Sequence, residues 1–272
     1  MQKGFIFDLD GTIYVDNKLI DGAADVLKEL KERGDKVVFL TNKSIETIAT
    51  YVEKLTNLGI EVERENVVNS NFLTARYLAK KLSREEKVMV IGEQPLYEEL
   101  IHHGITISED ESEVSYVVLG WDRTFTYDKL NRAFQAWRNG AIIIATNPDR
   151  TCPVEDGEIP DCGAMIGAIE GATGEKVELI MGKPSPLAAK FIVEDVLKLS
   201  PEDCYMVGDR LETDIRMGND FGLHSVLVLT GITEKGMLEH AEYQPKYVLN
   251  SVREITELVK DPDSKALDSQ MK

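Results

Sequence analysis

Short apolar runs alternate with amphipathic stretches along the whole chain, and nothing else in the sequence restricts the fold as much. Gly4-Phe5-Ile6-Phe7 reads as a buried strand, as do residues 37–40 and Val67-Val68. Between them apolar residues fall at helical spacing. Ala23, Val26, Leu27 and Leu30 share one face of a helix capped by Asp21 and ended by Gly34. Ile45, Ile48, Val52 and Leu55 share a face of the next, capped by Ser44 and ended by Gly59. Phe72, Ala75, Leu78 and Ala79 mark a third. Strands that alternate with helices imply a parallel sheet covered on both faces.

The rhythm restarts after the polar Ser83-Arg84-Glu85-Glu86-Lys87. Residues 88–91, 117–119 and 142–144 are its strands, and helices lie around 96–102 and 127–137. A loop rich in Pro, Asp and Gly runs from Thr146 to Gly163. After Lys183 the first pattern resumes, with helices over 186–199 and 212–221 and strands at 205–207 and 226–229. The polar tail from Asp261 to Lys272 frays. These breaks divide the chain into residues 1–82, an insertion over 83–181, and 182–272. The expected architecture is α/β: a Rossmann-like, doubly wound parallel sheet split around a second, smaller α/β domain.

Composition excludes several classes. With 272 residues and 43% apolar content the chain builds a sizeable core and is not low-complexity disorder. Lys plus Arg number 31 against 48 Asp plus Glu, a net charge of −17. Nonspecific nucleic-acid binding needs a basic footprint, and anionic membranes repel such a surface. Three cysteines form no disulfide framework, and their odd number points to a reducing compartment. Asp8 interrupts the first apolar run before any signal-peptide core forms, and no stretch approaches the ~20 apolar residues of a membrane helix. A cytoplasmic protein with neither nucleic-acid nor membrane partner is expected.

Four segments could carry chemistry. Asp8-Leu9-Asp10-Gly11-Thr12 follows the first strand, and ligands of doubly wound sheets bind beyond the carboxyl ends of strands. Residues i and i+2 on an extended segment point the same way, so the two carboxylates repel unless a cation or proton is shared. Hard carboxylate oxygens suit Mg²⁺. Read alone, the pentapeptide is equally a solvated acidic turn. Gly208-Asp209-Arg210-Leu211-Glu212-Thr213-Asp214 also follows a strand. Asp209 there could complete a metal site with Asp8, although helix capping by acidic residues explains the segment in isolation. Thr41-Asn42-Lys43-Ser44 joins a strand to a helix, where a hydroxyl, an amide and free helix N–H groups make an anion cradle or an ordinary cap. In Gly182-Lys183-Pro184 the lysine offers a point charge for a phosphate, or is a solvated turn residue. Cys152 and Cys162 do not have metal-ligand spacing. His102-His103 reads as a solvated helix end.

The combination decides what no single segment does. Asp8/Asp10, Thr41, Lys183 and Asp209/Asp214, in this order and each at a strand end or turn, resemble the four motifs of the haloacid-dehalogenase-like (HAD) superfamily. Between Thr12 and Thr41 there is room for only a helix and a strand. Between Thr41 and Lys183 about 100 residues remain after the core elements are counted, enough for a domain. An α/β cap at that insertion point is what the NagD-like branch has. Asp8–Tyr14, Gly22-Ala23, Thr41-Asn42, Ala145-Thr146-Asn147-Pro148-Asp149, Gly163-Ala164-Met165 and Gly182-Lys183-Pro184-Ser185 are similar to that branch. Gly92-Glu93-Gln94, Thr126-Tyr127-Asp128 and residues 145–150 are similar to bacterial sugar phosphatases of the arabinose-operon type.

The resemblance implies Mg²⁺-dependent hydrolysis of a small phosphorylated metabolite, most readily a sugar phosphate, through an aspartyl phosphate. Asp8 would be the nucleophile and Asp10 the general acid and base. Asp8, Asp10 through its carbonyl, Asp209 and Asp214 would hold Mg²⁺, with Asp214 acting indirectly. Thr41, Asn42, Lys43 and Lys183 would bind the phosphoryl group. Asn147, Asp149, Arg150 and Cys152, on the inserted domain's polar loop, would select the leaving group, unless that loop is merely exposed turn-forming chain. Related families form cap-mediated homodimers. Dehalogenases lack an acid/base at the position of Asp10, which favours phosphoryl transfer. A receiver domain is about half this length and lacks that residue. A mutase or phosphotransferase on the same core, and a nucleotide or pyridoxal phosphate phosphatase, remain compatible with the motifs.

Overall fold

The computed structural model describes residues 2–154 and 157–260. The tail expected from 261 to 272, and Glu155 and Asp156 of the expected loop, lie outside the described residues. The chain folds as two compact units. The first comprises the residues up to Thr41, Ala49–Val68, and those from Lys183 onward; the second comprises Asn42–Ile48 and Asn69–Gly182. The division differs from the expected break at residues 82 and 83. Helix α3 (Ser70–Lys81) is the reason: its Ala75 and Leu78 pack with Val88, Val90, Leu96 and Leu100 in the core of the second unit.

The first unit starts with β1 (Gly4–Phe7), a short hairpin β2 (Tyr14–Val15) and β3 (Lys18–Leu19), α1 (Ala23–Glu32), β4 (Lys36–Thr41), α2 (Ile48–Asn57) and β5 (Val67–Asn69). The second unit follows α3 with β6 (Lys87–Ile91), α4 (Gln94–His102), β7 (Thr106–Ile107), β8 (Val114–Leu119), α5 (Tyr127–Arg138) and β9 (Ile142–Ala145). It closes with a hairpin of β10 (Thr151–Val154) and β11 (Gly157–Pro160), α6 (Cys162–Thr173) and β12 (Leu179–Ile180). The first unit then resumes with α7 (Pro186–Lys190), β13 (Cys204–Gly208), α8 (Arg216–Asp220), β14 (His224–Val228), β15 (Tyr247–Leu249) and α9 (Ile255–Lys260).

In the first unit the sheet order is β15-β14-β13-β1-β4-β5. Strand β1 runs parallel to both neighbours, with Phe7 opposite Val207 on one side and Phe39 on the other. Phe5, Ile6 and Phe7 are completely buried, as expected of a strand covered on both faces. Successive strands step outward from β1 in one direction and later strands step outward in the other. That is the doubly wound order, with its switch point between β1 and β13. The second unit has its own parallel sheet, β12-β9-β8-β6-β7, flanked by α3 and α4 on one core cluster and α5 and α6 on another. The expected α/β class, a split doubly wound sheet with an inserted smaller α/β unit, is the observed one. Among the described residues no helix is long and apolar enough to cross a membrane.

Local expectations differ from the structure in four places. Asp21 does not cap α1. Gly22 occupies that position at φ 80°, and the Asp21 carboxylate pairs instead with Arg253 at 2.9 Å. Ser44 does not cap α2, which begins four residues later. Its hydroxyl accepts from the Trp121 N–H at 3.0 Å and its carbonyl from Asn71 Nδ2 at 2.8 Å, both within the second unit. The loop from Thr146 to Gly163 contains the β10–β11 hairpin. Helix α6 follows, although its three glycines hide it from a periodicity search. The helix expected over 186–199 is α7 continued by π-type turns over Phe191–Leu197, and π-type turns over Leu211–Ile215 likewise precede α8.

All three cysteines are free and buried. Burial pushes the Cys162 thiol up to about 12 and the Cys204 thiol up to about 11. Thiolates are the reactive form. The native protein should therefore leave all three thiols unmodified by Ellman's reagent at pH 8. Titration in guanidinium should count three.

Candidate active site

Three neighbouring strands of the first unit end on polar residues. Asp8 follows β1, Thr41 closes β4 and Asp209 follows β13. The Asp8 N–H donates to the Val207 carbonyl at 2.8 Å, which carries the β1–β13 ladder up to Asp8. Thr41 is buried at the end of β4. Beyond Asp8 the chain turns sharply through Gly11, at φ 83°, and returns as β2. Asp10 sits half-buried on this turn, with the Tyr14 hydroxyl donating to its Oδ2 at 3.4 Å.

Lys183 enters the same place immediately after the second unit and is 2% exposed. Its ammonium pairs with Asp8 Oδ1 and, at 2.7 Å, with Asp214 Oδ1. Asp214 is fully buried, and its Oδ2 accepts the Arg210 N–H at 3.0 Å. Asp214 thus pairs with the same ammonium as Asp8. Space for this carboxylate exists because residue 208 is glycine; a Cβ there would collide with it.

Asp209 is held by a loop outside the four motif segments. Ile232 N–H donates to Asp209 Oδ2 at 2.7 Å, and the Thr230 hydroxyl donates to the Gly11 carbonyl at 2.6 Å. A Cβ on Gly11 would lie 2.6 Å from Asp209 Oδ2, and one on Gly231 would overlap the same carboxylate. The available signal was Thr230-Gly231-Ile232-Thr233, a Thr/Gly loop after the next strand of the sheet.

One carboxylate oxygen each of Asp8, Asp209 and Asp214 lies within 4.8 Å of the others. Burial raises the Asp8 carboxyl well above the usual carboxylate range, with Lys183 opposing and Asp214 and Asp209 adding to the rise. Burial, then Asp214, pushes Asp209 up to about 6. Burial by itself would lower Lys183, yet Asp214 and Asp8 hold it above its ordinary value. One ammonium therefore faces three buried carboxylates. Asp209 Oδ1 is in addition a buried acceptor without a hydrogen-bond partner. A charge deficit and an orphaned hard oxygen fit a divalent cation such as Mg²⁺.

The remaining expected residues belong to the second unit. No helix starts directly after Thr41, because residues 42–47 are not helical; Asn42 and Lys43 lie on that irregular segment. Asn42 Nδ2 donates to Asp149 Oδ2 at 2.7 Å, and the Ser70 hydroxyl donates to the Asn42 carbonyl at 2.7 Å. Asn147 Nδ2 donates to the same Asp149 oxygen at 2.9 Å and to Asp161 Oδ1 at 3.1 Å. Asn147 is fully buried. Cys152, expected to help select the leaving group, lies in the buried apolar cluster with Trp121 and Ile166. Arg150 is exposed.

The family model described as haloacid dehalogenase-like hydrolase matches residues 5–106, and one described as HAD-hydrolase-like matches residues 180–255. Sugar-phosphatase AraL of Bacillus subtilis is 43% identical over 258 residues, spanning 95% of this chain and 93% of that protein. The solved 4-nitrophenylphosphatase of Thermotoga maritima is 39% identical, with a TM-score of 0.88 over 94% of this chain and 97% of its own. A glycerol phosphate phosphatase of Mycobacterium tuberculosis, solved in complex with magnesium, is 30% identical. Its TM-score is 0.84, over 93% of this chain and 75% of its own.

Removing one of the crowded carboxylates should relieve the metal-free protein. Asp209→Asn should stabilise it at pH 7, because burial and Asp214 disfavour the charged Asp209 carboxylate. Added Mg²⁺ should raise the melting temperature of the parent and not of the variant. Calorimetry with and without EDTA checks both.

Proposed function

Because the chain belongs to the haloacid dehalogenase-like hydrolases and is a phosphoric monoester hydrolase among them, we propose that Asp8 attacks a sugar phosphate and is transiently phosphorylated. The observation that carries this reading is Asp8 at the switch point of the sheet, paired with Lys183 and followed two residues later by the half-buried Asp10. A carboxylate is a nucleophile without a base once it is ionised. Asp8, the Asp10 carbonyl and Asp209, with Asp214 in an indirect role, would hold Mg²⁺, which would supply positive charge that favours ionised carboxylates and lets a phosphate dianion approach.

Each residue then has a separate task. Asp8 forms the bond to phosphorus as the ester P–O bond breaks. Lys183, braced by Asp214, and Thr41 balance charge on the phosphoryl oxygens. The backbone around Asn42 and Lys43 is assigned to the same task. Asp10 gives a proton to the departing alkoxide and later takes one from the water that hydrolyses the aspartyl phosphate. The names of the similar proteins support small phosphate monoesters as substrates and sugar phosphates as the first class to test. The inserted segment 83–181, with α3, is assigned as the cap. Free buried cysteines support the cytoplasm as its compartment.

Selection of the leaving group is assigned to the cap loop, and the buried network divides its members. Asn147 and Asp149 are engaged with Asn42 and Asp161, which suits a role in holding the loop. Arg150 is the member free of the core to meet substrate hydroxyls.

Phosphate release from sugar phosphates, p-nitrophenyl phosphate, pyridoxal phosphate and nucleotides tests the proposal. Turnover should need Mg²⁺, stop with EDTA, and fall by at least about 10³-fold in Asp8→Asn. Release that survives Asp8→Asn would remove the covalent mechanism. No release from any ester would point to another acceptor than water. Arg150→Ala should reorder the sugar phosphates while leaving p-nitrophenyl phosphate nearly unchanged. Asp149→Asn should lower all substrates by a similar factor, checked by kcat/KM across the panel.

A further inference from the structure

Tyr14 opens β2 and stands four residues after Asp10. The turn between them is closed by backbone groups. Gly11 N–H donates to the Tyr14 carbonyl at 2.8 Å, and the N–H groups of Ile13 and Tyr14 donate to the Leu9 carbonyl at 2.9 and 3.3 Å. Asp10 and Tyr14 also form an isolated β-bridge. The side chain is fixed as firmly as the backbone. Its ring is completely buried, and the Lys54 ammonium lies over it, 3.7 Å from the centroid. Cation–π attraction of this kind resists rotation of the ring.

A buried phenol ordinarily finds a hydrogen-bond partner. The Tyr14 hydroxyl faces Asp10 Oδ2 at 3.4 Å. That is long for an O–H···O bond. Hydrogen bonds at catalytic groups commonly shorten when substrate is bound. Asp10 itself is half-buried on a turn, so its carboxylate has rotamers to lose before one oxygen is reliably aimed.

We propose that Tyr14 is a positioning residue for proton transfer: its hydroxyl donates to Asp10 Oδ2 and so aims Oδ1 at the ester oxygen. The inference rests on the assignment of Asp10 as general acid. In the step, the Asp8–phosphorus bond forms, the ester P–O bond breaks, and the proton passes from Asp10 Oδ1 to the departing oxygen. Tyr14 keeps its own proton throughout. Its influence is thus felt only where the leaving group needs protonation.

That dependence separates positioning from mere support of the fold. kcat/KM reports steps through the first irreversible one, here departure of the leaving group, whichever half-reaction limits kcat. Phenyl phosphate and p-nitrophenyl phosphate have nearly the same shape, but only phenolate leaves poorly without a proton. Tyr14→Phe should lose about tenfold in kcat/KM with phenyl phosphate and less than about twofold with p-nitrophenyl phosphate. Its melting temperature should match the parent, since Phe fills the same space. Equal losses with the two esters, or no loss with either, would overturn the proposal. Should Tyr14→Phe fail to fold, Lys54→Met reads the same contrast through the ring it holds; it should discriminate in the same sense, and equal effects would again count against positioning. Asp10→Asn keeps the two readings apart. If it penalises both esters equally, the acid assignment fails. If it discriminates and Tyr14→Phe does not, the role of Tyr14 alone falls.

Discussion

Three largely buried carboxylates gather around one lysine, and the architecture around them follows from that imbalance. The sheet order sets β13, β1 and β4 side by side, so Asp209, Asp8 and Thr41 arrive at adjacent strand ends without any long excursion of the chain. Lys183 answers Asp8 and Asp214 directly. Asp209 is left to the Ile232 N–H. Such crowding costs stability that apolar packing elsewhere must offset, and the completely buried Phe5, Ile6 and Phe7 sit directly beneath it. Glycine at 208 and 231 belongs to the same solution, because the carboxylates occupy the volume where side chains would start.

Much of this was legible in the sequence. Strands β1, β4 and β13 are continuous apolar runs, as strands buried on both faces must be, and each ends on a polar residue that no core would accept without purpose. The motifs at Asp8, Thr41, Lys183 and Asp209 therefore announced the candidate site before any geometry. What the sequence hid has physical reasons. Helix α6 carries Gly163, Gly167 and Gly171, which break the apolar rhythm a periodicity search relies on. The segment after Thr41 reads as a capped helix start, but Ser44 spends its hydroxyl on Trp121, a partner 77 residues away. The Thr230–Thr233 loop bears no charge, so only its Thr/Gly composition after β14 marks it as the support of Asp209.

The loop at the end of β9 shows how burial reassigns residue types. Polar residues between turn formers look like recognition, and Asn147, Asp149 and Cys152 all fit that description. In the folded second unit Cys152 belongs to the apolar core, and the two others satisfy each other and Asn42. A buried polar group must be paired, and the pairs it finds fix the backbone of neighbouring residues. Asn42 is next in sequence to Thr41, so the covalent chain joins this network to a residue at the end of β4.

The pairing of β1 with β13 also sets a timetable for biosynthesis. Phe7 cannot meet Val207 until two hundred further residues have been made, whereas every strand of the second unit's sheet lies within Lys87–Ile180. Translation at ~5–20 residues per second leaves the amino-terminal strand with β4 alone, and without β13, for tens of seconds. During that interval the second unit has all of its own strands available, and the apolar Gly4–Phe7 segment is exposed to aggregation or to a chaperone. Asp209 reaches Asp8 only once the carboxyl-terminal third has emerged, so the crowding of the three carboxylates is the last strain the folding chain meets.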